Sequence, residues 1–197
     1  MSDDLTTDQL VLDRARYAAQ RKTDRARVMA LRKSRRVQVG KYLALEFENV
    51  ETLRYQAQEM VYVEGITDPR GAAEEVETYR RLLPTDHTIT ATMFLEFDDL
   101  DTVRQSLDGM SGVQNQITLR IGDSAVAAED VPPPDEANFS QTYSVHFLRF
   151  TLTDEQRAAF ADAAVAVRLS VEHPKYHESA IVSDETRAQL LADLDLA

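Results

Sequence analysis

The chain has 197 residues, with 22 Lys plus Arg against 34 Asp plus Glu, a formal charge of −12, 43% apolar residues, six Gly and six Pro. This composition fits one globular domain and excludes collagen-like, low-complexity and wholly disordered classes. There is no cysteine, which excludes disulfides, thiolate zinc sites, Cys-ligated iron–sulfur clusters and Cys nucleophiles.

The first ten residues, MSDDLTTDQL, are acidic and polar, and lack the basic and apolar regions of a secretory signal. No apolar run approaches the roughly 20 residues that span a bilayer. A soluble cytoplasmic protein is expected, with no membrane partner. Thr6 with Gln9 three residues on resembles a capping box. From there to about Arg36 no Gly or Pro intervenes, so one long helix is predicted, with a thin apolar stripe of Leu10, Tyr17, Val28 and Leu31. Between Arg14 and Lys41 lie eleven basic residues and one acid, Asp24, whereas residues 61–197 carry ten basic and 25 acidic residues. The chain therefore reads as a single domain over 1–197, with a basic helical segment at 1–36 and an α+β body at 37–197. The bulk charge repels phosphate backbones and disfavours nucleic acid. A basic segment of this kind either docks an acidic partner or satisfies the body's own carboxylates.

Val37 to Phe47 changes to a period of two, with Leu43, Leu45 and Phe47 on one face. Asn49 is a good N-cap for a helix from Val50 to about Glu64, which Gly65 ends. Asp68-Pro69 opens another helix with a stripe of Ala72, Val76, Tyr79 and Leu83. His87 to Phe97 alternates as a strand, and Leu100, Val103 and Leu107 suggest a short helix. Ile117, Leu119 and Ile121 form a strand that Gly122-Asp123 turns into a partner at Ala125–Ala128. Residues 130–140 read as a surface loop and Thr142 to Leu152 as a strand. Thr153 caps a helix from Asp154 to about Asp162, Val165 to Val171 is the last strand, and Asp184 to Leu194 a terminal helix. Together these predict an α+β fold: a mainly antiparallel sheet of five to six strands, with the long N-terminal helix and the other helices packed on it.

Some polar residues fall where apolar ones are expected. At 100° per residue, Gln56 and Glu64 fall among Leu53, Ala57 and Met60, with Glu59 on the flank. A carboxylate on a packing face is costly unless paired, protonated or metal-bound. His146 shares its strand face with Leu148, Phe150 and Leu152, as a hydrogen-bonded core residue or as a ligand or proton shuttle. Gln56, Glu59, Glu64 and His146 form the candidate polar cluster, or else each Glu meets an Arg of the first helix. Glu48, Glu59, Glu64, Glu75, Glu96 and His146 form a candidate metal set for iron, manganese or zinc, although no pair has Glu-x-x-His or His-Glu-x-x-His spacing. Gly-rich phosphate loops and G-x-S-x-G are absent from the sequence. His173, in the run His173-Pro174-Lys175-Tyr176-His177, reads as part of a turn.

Several runs together resemble an uncharacterised bacterial family catalogued as domain of unknown function 3501. They are Arg35-Arg36-Val37 with Gly40, Leu45-Glu46-Phe47-Glu48-Asn49 with Thr52 and Gln56, and Gln58-Glu59-Met60. Glu75 with Tyr79 and Leu83-Pro84 follows, then Ala91-Thr92 with Glu96, Val145 to Phe150, and His173-Pro174 with Tyr176. The expected Asn after Tyr79 is replaced by Arg80. The resemblance implies a cytoplasmic protein whose genes lie beside those of a rubrerythrin-like protein and a heterodisulfide-reductase-like iron–sulfur oxidoreductase, and it implies no established activity. The first expectation is therefore a non-catalytic accessory or binding protein of an iron–sulfur or non-haem iron redox system. The alternative is a metal-dependent enzyme or metal-binding protein using the Glu/His set.

Overall fold

The computed structural model describes residues 4–97, 107, 109–132 and 144–195. The N-terminal segment is not one helix. A 3-10 turn, Thr7–Gln9, precedes α1, Arg14–Ser34, whose N-cap Asp13 accepts from the Arg16 N–H at 3.0 Å. The intervening chain is held off the helix because the Gln58 side chain takes both backbone groups of Val11, at 2.7 and 3.1 Å. Propensity alone favours helix here, and this tertiary contact overrides it.

The period-two segment is a hairpin, β1 (Arg36–Val39) and β2 (Leu43–Phe47), turned at Gly40 with φ +66°. α2 is Val50–Glu64, with Asn49 as N-cap and left-handed Gly65 as C-cap. α3 is Pro69–Arg80, where the Asp68 carboxylate accepts from the N–H groups of Arg70 and Gly71. β3 is Thr88–Leu95, β4 Ile117–Ile121, β5 Ser124–Ala127, β6 Glu129–Asp130 and β7 Val145–Thr151. α4, Asp154–Ala161, then leads to β8 (Val167–His173), β9 (Tyr176–Ile181) and α5 (Asp184–Asp193). The strand predicted to end near Val171 is followed by another, because Pro174-Lys175 closes a hairpin between β8 and β9. The helix expected over Leu100 to Leu107 and most of the 130–140 loop lie outside the described residues.

The strands form two antiparallel sheets, ordered β1-β2-β3-β7-β6 and β5-β4-β8-β9, where one sheet of five to six strands was expected. Alternation shows which face of a strand is buried; it does not show which sheet the strand joins. In the first sheet Leu45 pairs with Met93 and Met93 with His146. This face shares one hydrophobic core with Leu119, Ile121, Leu169 and Val171 of the second sheet. Its opposite face carries Glu46, Thr92 and Phe147, also in register. Over that face lies a smaller core formed by Leu53, Ala57 and Val61 of α2 with Ala72 and Val76 of α3. Among the described residues, no helix is long and apolar enough to cross a membrane.

Candidate functional site

The helix-covered face of the first sheet gathers the polar residues. Asn49 Oδ1 accepts from the Thr52 N–H at 3.0 Å, and Thr52 Oγ1 accepts from the Asn49 N–H at 2.9 Å. The box fixes the first turn of α2 over the sheet. From there the Thr52 hydroxyl donates to one oxygen of Glu48, and the Thr92 hydroxyl of β3 donates to the other. Glu48 is 2% exposed. Burial pushes its carboxyl above the usual range, and the charge of Arg32 and the two hydroxyls offset only part of that shift. Arg32, in the last turn of α1, donates from Nη1 to Glu46 at 3.2 Å, while Arg36 donates to the other Glu46 oxygen at 2.7 Å.

Beside this cluster a groove of about 250 Å³ runs between the helices and the sheet. Arg32, Tyr55, Gln56, Glu59 and Met60 line its helical side, joined by Tyr79 of α3. Thr92, Phe94, Val145 and Phe147 line the sheet side. Burial and the nearby carboxylates of Glu75, Glu48 and Glu64 push the Tyr79 phenol up to about 12. Arg32 Nε and Nη2 and Gln56 Oε1 are buried and have no hydrogen-bond partner among the described residues. Orphaned groups of this kind are costly and uncommon in folded proteins. A wider cleft of about 400 Å³ lies between the start of α2, the turn at Pro84–Asp86 and Asp193 near the end of α5. It has no such atom among its described lining.

The four residues of the predicted cluster do not meet. Gln56 and Glu59 both line the groove. Glu59 turns toward α1, where Arg21 holds both its oxygens at 2.9 and 2.6 Å and the Tyr17 hydroxyl donates at 2.7 Å. Arg21 is the first cause of its lowered pKa. Glu64 is exposed near the end of α2. His146 lies on the opposite face of the sheet, in register with Met93, with Nδ1 3.4 Å from Asp130. Of the candidate metal set, Glu96 pairs with Arg36 at 2.6 Å, Glu48 is enclosed by the two threonines, and Glu75 sits on α3. Among the described residues no group of three His, Asp or Glu could hold a metal ion. Of the candidate cluster, the groove therefore takes Gln56 and Glu59. Strand alternation sends His146 to the face that packs on the second sheet, away from Phe147 and the groove. Arg32 and Tyr79 have the stronger claim. Arg32 was hidden in a basic run, and Tyr79 looked like an ordinary stripe residue.

The sequence matches the family described as "Protein of unknown function (DUF3501)" over residues 4–194. The chain belongs to this family. Among solved structures it is similar to the crystal structure of a novel protein of unknown function from Burkholderia pseudomallei K96243. The two are 34% identical with a TM-score of 0.88, over 97% of this chain and 99% of that one. No curated protein matches the sequence. The two chains thus share one fold.

Proposed function

We propose that the protein is a binding protein that seats a small, largely apolar molecule in the groove between α2 and the first sheet. The observation that carries this reading is that Arg32 and Gln56, which hold three buried polar atoms without a partner among the described residues, line one cavity with the aromatic side chains of Tyr55, Tyr79, Phe94 and Phe147. A concave, mostly apolar wall with a few orienting polar groups is what small-ligand sites share. The volume equals that of about eight liquid waters, enough for a one-ring molecule. The test is a titration of the whole protein with benzoate, benzamide and benzyl alcohol, followed by backbone amide NMR. At least one should give saturable shifts centred on Gln56 and Phe147, and these should vanish in Val145→Trp, which fills the groove mouth. No saturable shift from any of the three would overturn the reading.

A docking role beside an iron–sulfur or rubrerythrin-like protein is a second reading. It is favoured by the solvent-facing side of α1, where Lys22, Arg25 and Lys33 are exposed with Met29 among them. Such a surface suits an acidic partner. Co-purification at low salt, lost at high salt, is the expected result, and failure to recover a partner at low salt would remove this reading.

A further inference from the structure

Resting on the groove reading, we infer that the molecule seated there is a carboxylate whose two oxygens are held by the Nε–Nη2 edge of Arg32, with an aromatic or short aliphatic body lying against Phe94 and Phe147. A guanidinium offers its N–H groups in a planar fork that matches a carboxylate at two points. Among the described residues, Arg32 spends only Nη1, on Glu46. The edge that makes two-point contacts is the one left buried without a partner among the described residues. The molecule itself shows what that edge takes. Eleven residues earlier on α1, Arg21 uses the same pair of nitrogens, Nε and Nη2, to grip both oxygens of Glu59. On a helix that spacing is about three turns, so both arginines lie on the same side of α1 and face α2.

Charges of both signs surround the groove. Arg21, Arg25, Arg32 and Arg36 all act on this cluster. Against them stand Glu46, Glu59 and Glu96. Glu48 stands with them but is driven toward its neutral form by burial. Glu64 and Glu75 act on Tyr79 across the same groove, so bulk charge does not select the ligand; what singles out Arg32 is that its buried Nε and Nη2 have no partner among the described residues. Gln56 Oε1 then offers an acceptor for a hydroxyl or amine on the ligand. The walls supply the apolar remainder through Tyr55, Met60, Phe94 and Phe147. Neutral one-ring molecules would fill the same space but leave the Arg32 fork unmet, which costs affinity.

The test compares benzoate with benzamide, which has the same shape and no charge, by isothermal calorimetry on the whole protein. Benzoate should bind about tenfold more tightly, as a charge-assisted two-point contact requires. Arg32→Lys keeps the charge but removes the fork, and should bring the two dissociation constants to within about threefold of each other. If Arg32→Lys fails to fold, Gln56→Leu, which leaves Arg32 in place, should keep the benzoate preference. Saturable benzamide binding with no preference for benzoate would overturn the carboxylate assignment and leave the groove reading standing. Binding of neither compound would overturn both. A benzoate preference that persists in a folded Arg32→Lys would place the anion elsewhere and sink the assignment.

Discussion

Arg35 and Asp193 are 158 residues apart in sequence and form an ion pair that ties the end of α1 to the last turn of α5. The Arg35 side chain is 1% exposed, and it also donates to the backbone oxygens of Phe47 and Glu48 at 2.8 and 3.0 Å. One guanidinium thus holds the start of the chain's body, the entrance to α2 and the C-terminal helix together. Removing one partner from such a pair strands a buried charge.

Asp193→Ala should therefore lower unfolding stability by about 3 kcal/mol, the range for breaking a buried pair from one side. Replacing both partners by Arg35→Met with Asp193→Leu should cost less than the single change, because no charge is then left alone. Urea denaturation of the wild type and the two variants decides this. A double variant worse than Asp193→Ala would contradict the stranded-charge account.

Glu48 gives a pH signature. Its carboxyl is raised above the ordinary value of 4.5, chiefly by burial, against Arg32, Thr52 and Thr92 and alongside Glu46. The folded chain then keeps a proton that the unfolded chain releases. Stability from this group is present below the unfolded value and is lost as pH rises through the folded one. Glu48→Gln mimics the protonated form, so it should gain on the wild type as pH rises. The gain should be at most about 1.4 kcal/mol per pH unit across that window. Glu51 and Glu59, whose values are lowered, run the opposite way in both proteins and cancel in the difference. Denaturation of both proteins at several pH values above 4 measures it. A stability difference that does not change with pH would show Glu48 to be ionised in the folded state.

The β1–β2 turn tests the join between the sheets. Gly40 has φ +66°, and a Cβ there would lie 2.5 Å from the Tyr176 hydroxyl and from Glu178 Cγ. Glu178 can swing away. Tyr176 cannot, because its hydroxyl donates to the Val39 oxygen at 2.6 Å and accepts from the Tyr42 N–H at 3.0 Å. Gly40→Ala should cost about 2–4 kcal/mol, the sum of left-handed strain and a displaced buried hydroxyl. In a Tyr176→Phe background the cost should shrink, since the clashing oxygen is gone. Additive losses in the double variant would place the strain in the backbone alone.

Much of the fold was legible where local chemistry decides it. Asn49, Gly65, Asp68-Pro69 and Gly122-Asp123 each mark an element boundary that the structure keeps. Those residues act through their own backbone conformation or the next turn, which is what a sequence displays. The partition into two sheets was not legible, because Ile117 to Ile121 and Thr88 to Leu95 have the same alternation and join different sheets. The site was half legible. Gln56 and Glu59 stood out as polar residues on or beside a packing stripe, and both line the groove. His146 stood out for the same reason, but one residue of strand register separates it from the groove face that Phe147 occupies. Arg32 carried no signal at all. Its distinction is two unspent nitrogens, and that depends on where Glu46 and Gln56 end up in space.

Gln58 explains the false long helix and offers the last test. Its carboxamide copies a strand neighbour, accepting from the Val11 N–H at 2.7 Å and donating to the Val11 oxygen at 3.1 Å. Gln58 is 2% exposed, so neither bond competes with water. The clamp lays Leu5 and Leu10 into the smaller core beside Leu53 and Ala57. Gln58→Leu removes both bonds and leaves the Val11 backbone groups unpaired, at a cost of about 1–3 kcal/mol. The loss should be local first: amides of residues 5–12 should exchange with solvent faster by an order of magnitude or so, while those of the central strands β2 and β3 hold their protection. Unchanged exchange at residues 5–12 in Gln58→Leu would mean that the leucines alone hold the segment, and that the break before Asp13 is set by core packing instead of by this side chain.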